Sequence, residues 1–158
     1  MNREVIFPAQ VVLAFVTMSL LARWYVAPLL ARRPRESALQ PLLAVHTFRY
    51  IGLVFLAPAA APALAESFAI PAGIGTAIAG VLALLSIAAL RARSALAIPL
   101  IWIFSVEGLG DFANAFIQAR GTSAVSELGA AYYVPIVIVP AAVITHVMII
   151  GLLLRRAA

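Results

Sequence analysis

From Pro71 to Leu90 the chain runs for twenty residues without a charged side chain, with only Thr76 and Ser86 among the apolar ones. As a helix rising about 1.5 Å per residue, such a run crosses a hydrocarbon core of about 30 Å. Four further apolar runs of comparable length lie at about 6–30, 38–60, 94–118 and 130–154. The pattern predicts an all-α integral membrane bundle of five transmembrane helices, forming a single transmembrane domain over residues 1–158. Composition agrees: 11% of residues are charged, against roughly a quarter in soluble domains, and the mean hydropathy is +1.08.

The net charge of +5 arises from eleven arginines and no lysine. These arginines sit in short clusters between apolar runs, which excludes a nucleic-acid partner and marks the bilayer as the environment. With five spans, Arg32, Arg33, Arg35, Arg91, Arg93, Arg155 and Arg156 fall at one membrane face. Arg3, Glu4, Glu66, Arg120 and Glu127 fall at the other, the last two flanking the polar loop Gly121–Ser123. The positive-inside rule then places the N-terminus outside and the C-terminus in the cytoplasm. The first apolar run continues well past a signal-peptide core, so it is expected to remain as a helix. Without cysteine there is no disulfide, thiolate metal site or redox-active thiol.

Ionisable residues inside the runs are the candidate site. His46 and Arg49 are three residues apart and share a helix face. Counted from the flanking arginines, His146 and Arg23 lie roughly 13 Å deep, His46 roughly 16 Å, and Arg49 and Glu107 about 21 Å. Asp111 is one turn further. Glu107, Asp111, Asn114 and Gln118 follow at helical spacing and form one polar stripe on the fourth helix. Such a stripe is expected to turn toward the bundle or a water-filled cavity. Arg23 and Arg49 then balance Glu107 and Asp111, with Arg49–Glu107 the expected pair and Asp111 the second acceptor. Snorkelling to the headgroups is the competing expectation for Arg23. Thr76 with Gly80, and Gly75 with Ala79, predict close helix packing within the bundle, and Pro135 and Pro140 predict a kinked fifth helix.

The segments HTFRYIGLVFLAP, FAIPAGIGTAIAGVLALLSI, EGLGDFANAF and YYVPIVIVPAAVITHVMIIGLLLRR, in that order over about residues 40–156, resemble an uncharacterised family of short bacterial inner-membrane proteins. The resemblance implies that His46, Arg49, Asp111 and His146 are motif positions and that the protein sits in the bacterial inner membrane. It supplies no activity. In that pattern an acid follows PAGxG, where this chain has Thr76, and the position of Glu107 is apolar or neutral. A carboxylate moved from the third helix to the fourth at constant depth would keep a partner for Arg49.

Several functions remain open on these residues. A site built from Arg49, His46, Glu107, Asp111, His146, Asn114 and Arg23 could bind or pass a small polar ligand or protons: arginine forks around a carboxylate-like group, and histidine with a carboxylate relays protons. Alternatively, His46 and His146 could be the axial ligands of a b-type haem, or could bind a non-haem metal together with Glu107 or Asp111. A third reading is a charge-neutral network in a structural or accessory membrane subunit, including a homo-oligomer or a larger membrane complex. Serine-hydrolase and cysteine chemistry have no motif to support them.

Overall fold

The computed structural model describes residues 3–120 and 124–155. Gly121–Ser123 of the polar loop and Arg156 of the last basic cluster lie outside the described residues, as do the side chains of Arg3 and Glu4. The described chain is helical without strands, and five helices are long and apolar enough to cross a membrane: α1 Val5–Ala31, α2 Arg35–Leu56, α3 Glu66–Arg91, α4 Ala97–Arg120 and α5 Gly129–Leu154. The chief shift from the sequence expectation is at α3, which begins at Glu66 with Pro71 inside it. An acidic residue in its first turn complements the helix dipole. At the other limit of α2, the helix ends at Leu56, two residues before Pro58.

α3 is the centre of the bundle, packed most extensively against α2 and α4, while α5 packs on α2, α4 and α1. α1 lies along α5, and none of its residues from Val5 to Leu29 is buried. Gly80 is where α3 meets the backbone of α2: a Cβ there would sit 3.6 Å from the carbonyl oxygen of His46. The small residues of α3 therefore serve packing inside the bundle.

Two apolar clusters stack along the bundle. Leu39, Leu42, Leu43, Ala79, Ala83, Ile101, Phe104 and Ile149 belong to the cluster toward the arginine-rich end. Leu64, Phe68, Ala72, Ala124 and Leu128 belong to the cluster at the opposite end. Of the buried polar residues, His46, Arg49, Thr76 and His146 come from the stretches between them, and Ser86 and Ser105 lie beside the first cluster. At the arginine-rich end, Arg35 Nη2 donates to the carbonyl of Leu153 at 2.9 Å and so caps the last turn of α5.

Three helices depart from α geometry. In α5 a 3₁₀ turn, Gly129–Tyr132, precedes Pro135, and a π turn, Val134–Ile138, precedes Pro140. Proline lacks an N–H, so the carbonyl one turn before it loses its partner and the ladder rearranges. The π turn Ala22–Val26 in α1 likewise precedes Pro28. The kink expected from Pro135 and Pro140 thus takes the form of changed helix type. α2 changes at Thr47, where the α-helix gives way to a 3₁₀ helix over Phe48–Leu56. With three residues per turn, His46, Arg49, Gly52 and Phe55 line up on one edge, and the first three are buried. Gly52 is pressed against the methyl group of Thr76 on α3, and no Cβ fits between them.

Two outcomes are expected. Reporters fused to the two chain ends should read opposite sides of the membrane; both on one side would overturn five spans. Gly52→Ala should lower unfolding stability in detergent by about 1–3 kcal/mol through overpacking on Thr76.

Candidate functional site

Arg49 is the largest fully buried side chain, at 1% exposure, and every helix from α2 to α5 contributes to its surroundings. Its Nε donates to Thr76 Oγ1 at 3.2 Å, and its Nη1 faces the Gly108 carbonyl at 3.5 Å and His146 Nε2 at 3.4 Å. Nη2 forms an ion pair with Asp111 Oδ2 at 2.5 Å. The guanidinium also lies over the Phe112 ring, 4.1 Å from its centroid, a cation–π contact. Four of its five N–H groups therefore meet acceptors. The fifth, on Nη2, meets none among the described residues.

Glycines open this space. A Cβ on Gly108 would stand 2.6 Å from His146 Nε2 and 2.8 Å from Arg49 Nη1. A Cβ on Gly75 would collide with Asp111 Oδ1. Arg49 therefore enters α4 along the line of Gly108 and Asp111, and this decides its carboxylate partner. Gly108, Asp111 and Asn114 step round α4 by about 60° each, and Glu107 is about 100° from Gly108 on the far side of Asp111. Asp111 is the acid nearest the entry line. The expected first partner, Glu107, is instead half-buried, forms no ion pair among the described residues and leaves Oε2 buried without a hydrogen bond.

The polar stripe of α4 consequently does not turn inward as a whole. Asp111 does so, Gln118 is half-buried, and Asn114 is exposed. Arg23 is exposed on the π turn of α1, with no hydrogen bond or ion pair among the described residues. It does not join the cluster, because α1 runs along the outside of α5. The ion pair at the centre is Arg49 with Asp111, and the half-buried Glu107 acts on both through space without a direct contact.

The histidines come together. Their ring centroids are 4.2 Å apart, and Phe104 stacks on His146 at 4.7 Å and meets His46 edge-on at 4.8 Å. Arginine only donates, so His146 Nε2 is the acceptor and its proton lies on Nδ1. Thr145 Oγ1 donates to the Ala141 or Ala142 carbonyl, at 2.9 and 3.0 Å, and so accepts from His46 Nε2 at 2.9 Å. Both Nδ1 atoms are buried without a partner.

This arrangement does not fit a haem. Axial imidazoles face each other across the macrocycle, whereas these rings are in contact, and both Nε2 atoms are already engaged. Nor does it fit the other metal reading. Among the described residues no three histidine or acidic side chains gather as a metal-holding group, and the Arg49 guanidinium stands beside His146, where it would repel a cation.

Arg49, Thr76 and Asp111 also line a cavity of about 590 Å³ that runs toward Arg120, Ala124 and Leu128. Its walls come from all five helices. Phe7 and Phe15 of α1, Phe112 and Phe116 of α4, and Val139 and Val143 of α5 line it together with Phe55 and Phe68. The cavity was not foreseen from the sequence. The phenylalanines that line it read there as ordinary membrane-helix residues, and no spacing rule links α1 to α4. The 3₁₀ register of α2 did leave a signal, in the three-residue spacing of His46, Arg49, Gly52 and Phe55.

Asp111→Asn should destabilise the protein by about 3–5 kcal/mol, because it leaves Arg49 buried and unpaired. Glu107→Gln should cost less than about 1 kcal/mol. Chemical unfolding in detergent measures both, and a larger loss for Glu107→Gln would reverse the assigned partner.

The family model described as "Domain of unknown function (DUF8737)" matches residues 6–154, a range that includes every residue of the cluster. No curated protein and no solved structure matches the chain.

Proposed function

Since the chain belongs to the DUF8737 family, whose description carries no activity, we propose from the site itself that this membrane protein binds a small ligand. The ligand's polar group meets Arg49 and Asp111, with Thr76 and His146 holding the guanidinium in place. The observation that carries this reading is the position of the ion pair on a cavity wall. A pair serving only to fix helix register needs no open volume beside it, and about 590 Å³ is in the range of small-molecule sites. Buried ion pairs also add little net stability, so a purely structural role gives a poor reason for placing one here.

Binding is favoured over passage of protons or ligand. Toward the arginine-rich end, the route past His46 and His146 is filled by Leu39, Leu42, Leu43, Ile101 and Ile149. Ser86 and Ser105 are also buried in that stretch, and two separate hydroxyls do not make the continuous polar or water-filled path that conduction needs. The positive-inside rule supports placing the arginine-rich end in the cytoplasm and the cavity in the outer half of a bacterial inner membrane.

Native mass spectrometry of protein extracted in mild detergent tests the reading. Wild type is expected to carry a bound small-molecule mass that is lost on cavity filling by Ala115→Phe and, independently, by Val139→Phe. A bound mass unaffected by either folded variant, or no bound mass in wild type, would overturn it.

A further inference from the structure

We propose that the ligand is drawn from the bilayer and is a neutral, oxygen-bearing ring compound with a hydrophobic tail, of the alkylphenol or quinone class. This rests on the binding reading above and narrows it. Of the described residues lining the cavity, only Arg49, Thr76, Asp111 and Arg120 are polar. The rest of the wall is aliphatic or aromatic, so a wholly polar molecule would leave water for walls that offer it no hydrogen bond, at a cost of several kcal/mol. The polar part of the ligand is therefore small and its body apolar.

The Arg49–Asp111 end of the cavity selects the head group. Arg49 and Asp111 are already paired, so an anionic head would compete with Asp111 and a cationic head with Arg49. What the pair leaves unused is one N–H on Arg49 Nη2 and one acceptor, Asp111 Oδ1, which forms no hydrogen bond among the described residues. A carbonyl can take the N–H; a hydroxyl can use both. The Phe112 ring beneath the guanidinium offers a flat apolar surface beside them, which suits a ring better than a chain.

The body must reach from Asp111 to the level of Arg120, nine residues along α4, or about 13 Å. Access comes through the wall between α1 and α4. α1 makes its principal contacts with α5, and it faces α4 across the cavity rather than packing on it. A hydrogen bond between Tyr132 and Gln10 fastens α1 to the start of α5, and no hydrogen bond among the described residues ties α1 to α4. A membrane-dissolved molecule reaches such an opening without crossing water.

Equilibrium binding to the purified full chain in detergent, with four probes of equal tail length, tests the proposal. 4-Decylphenol and decyl-benzoquinone are expected to bind saturably, at least about tenfold more tightly than decylbenzene, about 1.4 kcal/mol, and to lose that binding in Ala115→Phe. 4-Decylbenzoate, an anion, is expected to bind no better than decylbenzene. Tightest binding by 4-decylbenzoate would overturn the ligand class and leave the Arg49–Asp111 site standing. Equal binding of all four would overturn both. If no probe binds while a native mass is still displaced by cavity filling, the class falls and the site remains.

Discussion

A guanidinium held away from water at mid-membrane depth is the constraint that the rest of this bundle satisfies. Exposure of 1% leaves Arg49 dependent on protein for every hydrogen bond it makes, and the partners come from three other helices. Thr76 supplies an acceptor from α3, Gly108 and Asp111 from α4, and His146 from α5. Each helix must approach closely enough for that contact, which is why glycine stands at 52, 75 and 108, the points of nearest approach. The packing is subordinate to the charge. Moving any of the three helices outward by the thickness of a methyl group would strand a buried donor, which costs more than the lost van der Waals contact.

The cluster also divides the bundle into unlike halves. On one side, leucines, isoleucines and Phe104 close around the histidine pair. On the other, phenylalanines, among them the edge-on pair Phe55 and Phe68, line open volume. The histidines mark the boundary. Their contact with each other and with Phe104 makes them a plug beneath the ion pair, and His146 reaches through it to fix one edge of the guanidinium.

The five spans could be read from the sequence because apolar length and arginine clustering are properties of single segments. So could the pairing of Arg49 with an acid of α4, since a buried cation requires one and α4 carries two. Which acid it would be could not be read. Glu107 and Asp111 share a stripe, and the choice depends on the line along which Arg49 enters α4, fixed by Gly75 and Gly108 acting across helices. Arg23 shows the same limit from the other direction. Its depth matches the cluster, but α1 lies outside α5, and depth along one helix says nothing about which neighbours that helix has. The histidines did come together as their shared depth suggested, yet at contact distance, a geometry that does not fit a haem between them.

The 3₁₀ stretch of α2 gives the site a property that residue identities alone do not confer. Relative to His46, rewinding Phe48–Leu56 to α geometry would turn Arg49 by about 40° and Phe55 by about 160°. The first rotation takes the guanidinium off the line to Asp111; the second carries a phenylalanine from the cavity wall to the opposite side of the helix. The same nine residues would also shorten by about 4–5 Å. Ion pair and cavity wall are thus geared to one screw pitch, and a single change of winding in α2 takes both apart together.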